Sequence, residues 1–129
     1  MAGKEGNIKV SIQGIEKKYN TRKGEVVALN GVNFDIKENE FICVIGPSGC
    51  GKSTLLNIIA GLLEPTAGQI LVDGKPIQGT GTDRGVVFQQ YALFPWLTVK
   101  KNVEFGLKLK GLSKDECDSI AMKYLKMVE

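Results

Sequence analysis

The 129-residue sequence has no histidine, three cysteines, two arginines and no long apolar run, and each scarcity removes a class of chemistry. The cysteines Cys43, Cys50 and Cys117 are odd in number, far apart and without histidine partners, which excludes a disulfide framework and a zinc site and leaves reduced thiols. No apolar stretch approaches the roughly 18 residues that a membrane span needs, and the polar start "MAGKEGNIKV" lacks the features of a secretory signal. The expected location is therefore cytoplasmic. A formal charge of +3, with the basic pairs Lys17-Lys18, Arg22-Lys23 and Lys100-Lys101 scattered along the chain, suits a solvated surface better than a nucleic-acid track.

What is present reads as strands first and helices later. "NIKVSIQGI" (Asn7 to Ile15) alternates at period two, and after the loop "NTRKGE" the run "VVALNGVNFDI" carries a similar pattern, so an antiparallel pair is expected. "EFICVI" (Glu40 to Ile45) and "GVVFQ" (Gly85 to Gln89) are nearly all apolar, and predict buried strands of a parallel sheet. "KSTLLNIIA" (Lys52 to Ala60) predicts a helix stopped by Gly61, and "QILVDGKPI" a hairpin about Asp73-Gly74. Near the end, Ser113 and Glu116 form a capping box. After it Cys117, Ile120, Ala121, Tyr124, Leu125 and Val128 share one helical stripe, and the expectation is that the chain is cut at Glu129 inside or at the end of a helix.

Between the first apolar run and the helix lies "GPSGCGKS", Gly46 to Ser53, which fits G-x-x-x-x-G-K-[ST]. Phosphate chemistry explains the spacing. Glycines let the backbone wrap closely so that successive N–H groups point inward, and the helix adds its positive end. Lys52 is placed to reach the β- and γ-phosphates, Ser53 to give Mg²⁺ a hydroxyl, and Thr54 to bond the α-phosphate side. A chance match in a chain of this length is roughly a half-percent event.

"GPSGCGKSTLLNIIAGLLEPTAGQILVDGKPI" followed by "DRGVVFQQYALFPWLTVKKNV" resembles the ATP-binding subunit of ABC transporters, most closely the branch importing nitrate, sulfonates and taurine. The resemblance runs from about Ile8 to Glu129 and is specific at the P-loop and at the "VFQ" opening the family's Q-loop. It implies an α/β P-loop NTPase fold of the ABC ATPase type with an antiparallel β-subdomain. Its segments would be about 7–45 (β-subdomain and strand into the P-loop), 46–61 (P-loop and helix), 69–97 (hairpin, strand and Q-loop) and 98–129 (start of a helical subdomain). It also implies ATP and Mg²⁺ as ligands, an integral-membrane permease and a second ATP-binding subunit as partners, and a peripheral place on the inner face of the cell membrane.

The family's residues carry over one by one. ATP would be bound by Tyr19, stacked on adenine, by Ala28 beneath the same base, and by Gly46, Pro47, Ser48, Gly49, Cys50, Gly51, Lys52, Ser53 and Thr54. The competing reading of Tyr19 is a half-buried strand tyrosine. Gln89 matches the Q-loop glutamine that reaches Mg²⁺, with Ser53, and the attacking water; Gln90 beside it leaves the register open. Tyr91, Leu93, Phe94, Pro95 and Trp96 fall where the family accepts the membrane subunit, against core filling as the alternative.

Three family elements have no counterpart: the "LSGGQ"-like signature, the Walker B aspartate and glutamate, and the switch histidine. "ILVD" (Ile70 to Asp73) mimics Walker B, but Gly74 stands where the catalytic glutamate would follow, and Asp-Gly is a turn pair. The expectation is a domain truncated before those regions that binds ATP and does not hydrolyse it alone, Gln89 being the only candidate for positioning water. A non-catalytic binding module is the alternative. A small P-loop kinase fits less well, because Arg22 and Arg84 cannot supply an arginine-rich lid.

Overall fold

The computed structural model describes residues 7–90 and 92–128, and these form two compact units that divide between Arg84 and Gly85. The first unit begins with two long strands, β1 (Ile8–Thr21) and β2 (Gly24–Lys37), joined by a turn at Arg22 and Lys23. The strands are thus longer, and the connection shorter, than the "NTRKGE" loop suggests. β3 (Ala67–Val72) pairs with the free edge of β1, and the short β4 (Lys75–Pro76) pairs with β3, giving the order β2-β1-β3-β4 with every pairing antiparallel. Asp73 and Gly74, at φ 50° and 74°, make the expected hairpin turn.

Helix α1 (Lys52–Ile59) lies on this sheet. Its Leu55 and Ile58 join Ile12, Ile15, Leu29 and Ile70 in one buried cluster, each fully buried side chain contributing about 1.5–3 kcal/mol relative to exposure. The helix ends in a Schellman motif: Gly61, at φ 75°, donates its N–H to the Ile58 carbonyl and Leu62 to that of Asn57. Burial of Leu55 and Ile58 fixes the helix, and through it the position of the loop that precedes it.

The second unit is a helical hairpin, α2 (Val99–Leu109) and α3 (Lys114–Lys126). Thr98 caps α2 by accepting from the Lys101 N–H, and the Ser113–Glu116 capping box opens α3. Cys117 and Ala121 are buried, whereas Tyr124 and Val128 of the same stripe are exposed, so only its first half is covered.

Two expected strands are absent. Glu40–Ile45 and Gly85–Gln89 are irregular, with Phe41 92%, Ile45 88% and Val87 100% exposed. The reason is hydrogen bonding: an extended apolar run becomes a strand only beside a partner backbone, and none of the described strands pairs with either run. The parallel sheet is accordingly not formed among the described residues.

Candidate functional site

The phosphate-type loop of the first unit is built by close backbone approaches that leave no room for side chains. A Cβ on Gly46 would stand 2.7 Å from Cys50 Sγ, and one on Gly51 would stand 2.6 Å from the Ala28 carbonyl oxygen. Gly51 is the N-cap of α1 at φ 95° and offers no side-chain cap, so the N–H groups of the helix's first turn keep no side-chain partner. No acidic residue lies in that turn. The helix end is electropositive and open.

The Ala28 side of the cradle comes from an irregularity that no sequence pattern announces. Lys18 pairs with Val27 and Lys17 with Leu29, which leaves Ala28 as the extra residue of a β-bulge in β2. The bulge turns the Ala28 carbonyl toward Gly51. Together Ala28, Gly49, Gly51, Lys52, Ser53 and Thr54 line a cavity of about 150 Å³. A larger cavity of about 500 Å³, lined by Ile58, Gly61, Leu63, Glu64, Pro65, Ile77, Gln78 and Gly79, has no cationic side chain and does not suit a phosphate.

Lys52 folds back over the loop, its Nζ donating to the carbonyls of Gly46 (2.8 Å) and Pro47 (2.7 Å), with Cys50 Sγ at 3.5 Å. The ammonium is thereby held at the mouth of the cradle. Ser48 and Ser53 are exposed, so the Ser53 hydroxyl is free to meet a ligand. A narrow glycine cradle, an uncapped helix N-terminus and one lysine fit a polyphosphate. Among the described residues no group of three His, Cys, Asp or Glu could hold a metal ion. A divalent ion here would depend on Ser53 and on the phosphate oxygens themselves.

Tyr19 is opposite Val26 in the β1–β2 register, two residues before Ala28 on the neighbouring strand, and is 39% exposed. The Lys17 ammonium sits 5.3 Å from its ring centre, a cation–π contact. Tyr19 is not among the residues lining the small cavity. Asp73, the Walker B mimic, is a turn residue whose carboxylate takes two hydrogen bonds from Lys9 Nζ at 2.9 and 2.8 Å. The Asp73 hydrogen bond holds the Lys9 ammonium above its ordinary pKa.

Gln89 and Gln90 are exposed in the second unit, within an irregular segment. Of the aromatic run, Tyr91 lies outside the described residues. Leu93 is 70% and Trp96 76% exposed, while Phe94 is half-buried, its ring 4.6 Å from Phe105 and 5.4 Å from Trp96. Core filling thus describes Phe94, but not Leu93, Pro95 or Trp96. Sequence reasoning missed Asn102, whose side chain bonds this run at four points; the signal was an asparagine inside a helix, a place it disfavours.

The family model described as ABC transporter matches residues 29–129. An uncharacterized ABC transporter ATP-binding protein of Methanocaldococcus jannaschii is 54% identical over 121 residues, covering 94% of this chain and 45% of the relative. The nitrate import ATP-binding protein of Synechocystis sp. is 51% identical over 119 residues (92% and 45%), and the taurine import ATP-binding protein of Pelagibacter ubique 57% over 99 residues (76% and 37%). The chain therefore spans less than half the length of these relatives. Among solved structures, a dimeric bacterial ABC transporter cassette superposes with TM-score 0.80 at 38% identity, covering 92% of this chain and 56% of that one. A dimeric post-hydrolysis state of an ATP-binding cassette bound to ADP and Pi gives TM-score 0.79 at 38% identity, with the same coverage. With a P-loop set on an antiparallel sheet and these likenesses across nearly its whole length, the chain belongs to the ABC transporter family and has the α/β fold of its ATP-binding cassettes.

Proposed function

We propose that this chain is the nucleotide-binding part of an ABC importer subunit, taking ATP with Mg²⁺ at the loop Gly46–Ser53. The observation that carries the reading is the cradle: two glycine approaches below 3 Å, an uncapped helix N-terminus and Lys52 held across its mouth. Backbone N–H groups of Gly49 to Thr54 would hold the phosphates, Lys52 would neutralise the terminal ones, and Ser53 with Gln89 would ligate the metal. Bound Mg²⁺ would offset charge on the phosphate oxygens. Tyr19 and Ala28 would receive the base.

Names of the relatives support import of a small solute of the nitrate or sulfonate kind. No described helix of this chain is long and apolar enough to cross a membrane. The resemblance to importer ATP-binding proteins supports a membrane-spanning subunit as the partner, with the exposed Leu93, Pro95 and Trp96, and Tyr91 of the same sequence run, as the contact and the inner membrane face as the place. A second ATP-binding subunit is supported by the dimeric neighbours.

Turnover is not expected from this chain alone. Lys52 and Ser53 can hold the terminal phosphate, but among the described residues the two aspartates first in line to polarise water are engaged, Asp73 by Lys9 and Asp83 by Arg84 at 3.2 Å. Losing one positioned group commonly costs two or more orders of magnitude in rate. A phosphate-release assay tests this: the chain and its Lys52→Ala variant should be indistinguishable, and clear Lys52-dependent release would overturn the reading, with Asp73→Asn and Asp83→Asn then locating the base.

A further inference from the structure

Asn102 sits four residues into the hairpin's first helix, yet its side chain serves the loop before that helix. Its Oδ1 accepts the Phe94 N–H at 2.8 Å, and its Nδ2 faces the carbonyls of Thr98 (3.0 Å), Leu97 (3.2 Å) and Phe94 (3.2 Å). One amide group thus closes both ends of the turn that carries Pro95 and Trp96. The Leu97 N–H donates to the Phe94 carbonyl at 3.0 Å across the same turn, and Phe94 is packed on Phe105.

We propose that Asn102 is the positioning residue for Trp96, holding the loop Phe94–Thr98 in one shape so that the exposed indole is presented as an anchor for the membrane-spanning partner. This rests on the reading of Leu93, Pro95 and Trp96 as a docking surface. The chemistry explains why the loop needs an amide. An anchor carried on a loop already held in one shape binds more tightly, because less ordering remains to be done on association. Asparagine alone among residues of this size presents an acceptor and two donors together. In an ionised aspartate one oxygen would still accept the Phe94 N–H, but the other would face three carbonyls and be repelled by them, whereas the protonated form can donate one hydrogen bond there.

Trp96 is the only tryptophan, so the indole band of near-ultraviolet circular dichroism reports this loop alone. The unaltered chain should show a strong band that does not change through the carboxyl range of about pH 4 to 6. At neutral pH Asn102→Asp should lose most of that band while keeping its helical far-ultraviolet signal, and should regain it as the pH falls and the new carboxyl protonates. Retention of the full band by Asn102→Asp at neutral pH overturns the proposal. Should that variant not fold, time-resolved anisotropy of Trp96 in the unaltered chain decides: the indole must tumble with the protein, and fast free rotation overturns the clamp. A Trp96→Ala chain that still associates with its membrane partner while the spectroscopic results hold would remove the docking reading and leave the clamp intact.

Discussion

Replacing Gly51 by alanine puts a methyl group 2.6 Å from the Ala28 carbonyl oxygen and 2.9 Å from Leu29 Cδ2, on a backbone at φ 95°. Two costs add. Holding a non-glycine residue in left-handed space costs about 1–2 kcal/mol. Pushing back a bulged strand costs about 1–3 kcal/mol more, because Leu29 is in the core and the carbonyl cannot simply rotate away. The expected loss is thus about 2–5 kcal/mol, a large share of the ~5–15 kcal/mol that holds a typical domain together. Gly49→Ala is the control, since Gly49 shares a positive φ of 81° but a Cβ there meets nothing within 4 Å. It should lose only the backbone share, about 1–2 kcal/mol. Urea unfolding followed by far-ultraviolet circular dichroism measures both. Equal losses for the two variants would refute the claim that the Ala28 bulge and the loop are in mutual contact, and with it this account of how the cradle is shaped.

Other outcomes follow from the same geometry. Tyr19→Ala should weaken ATP by about 1 kcal/mol while Tyr19→Trp binds as before, measured by calorimetric titration; identical affinities would return Tyr19 to a purely structural role. Ser113→Ala should cost about 1 kcal/mol by removing the cap of α3, read from the urea midpoint. The Glu116 carboxyl is held below its ordinary value of 4.5 by hydrogen bonds from the Ser113 hydroxyl and backbone N–H. Because its pKa is lowered on folding, the stability it lends is complete above that ordinary value and is lost as pH falls through the lowered one. Helicity of α3 should therefore decline on acidification below about pH 4.5 in the unaltered chain and show no such step in Glu116→Gln.

Local signals in the sequence were legible wherever a few neighbouring residues decide the structure. Asp73-Gly74 forms its turn, Gly61 ends its helix and Ser113 with Glu116 caps another, because each depends on a backbone conformation or hydrogen bond within four residues. Glu40–Ile45 and Gly85–Gln89 failed for the opposite reason: their composition says buried and extended, but a strand is a relation between two segments. The bulge at Ala28 and the clamp at Asn102 are likewise relations. Leu29 and Lys17 pair at a distance of twelve residues, and nothing in either segment tells that one residue between them is extra.

Titration of the chain with ATP and Mg²⁺, read as thermal stabilisation, tests the central claim most directly. At a hundredfold excess over Kd the unaltered chain should gain about 2.7 kcal/mol, and Lys52→Ala should lose most of that gain. Equal stabilisation of the two proteins would contradict the assignment of phosphate binding to the loop Gly46–Ser53.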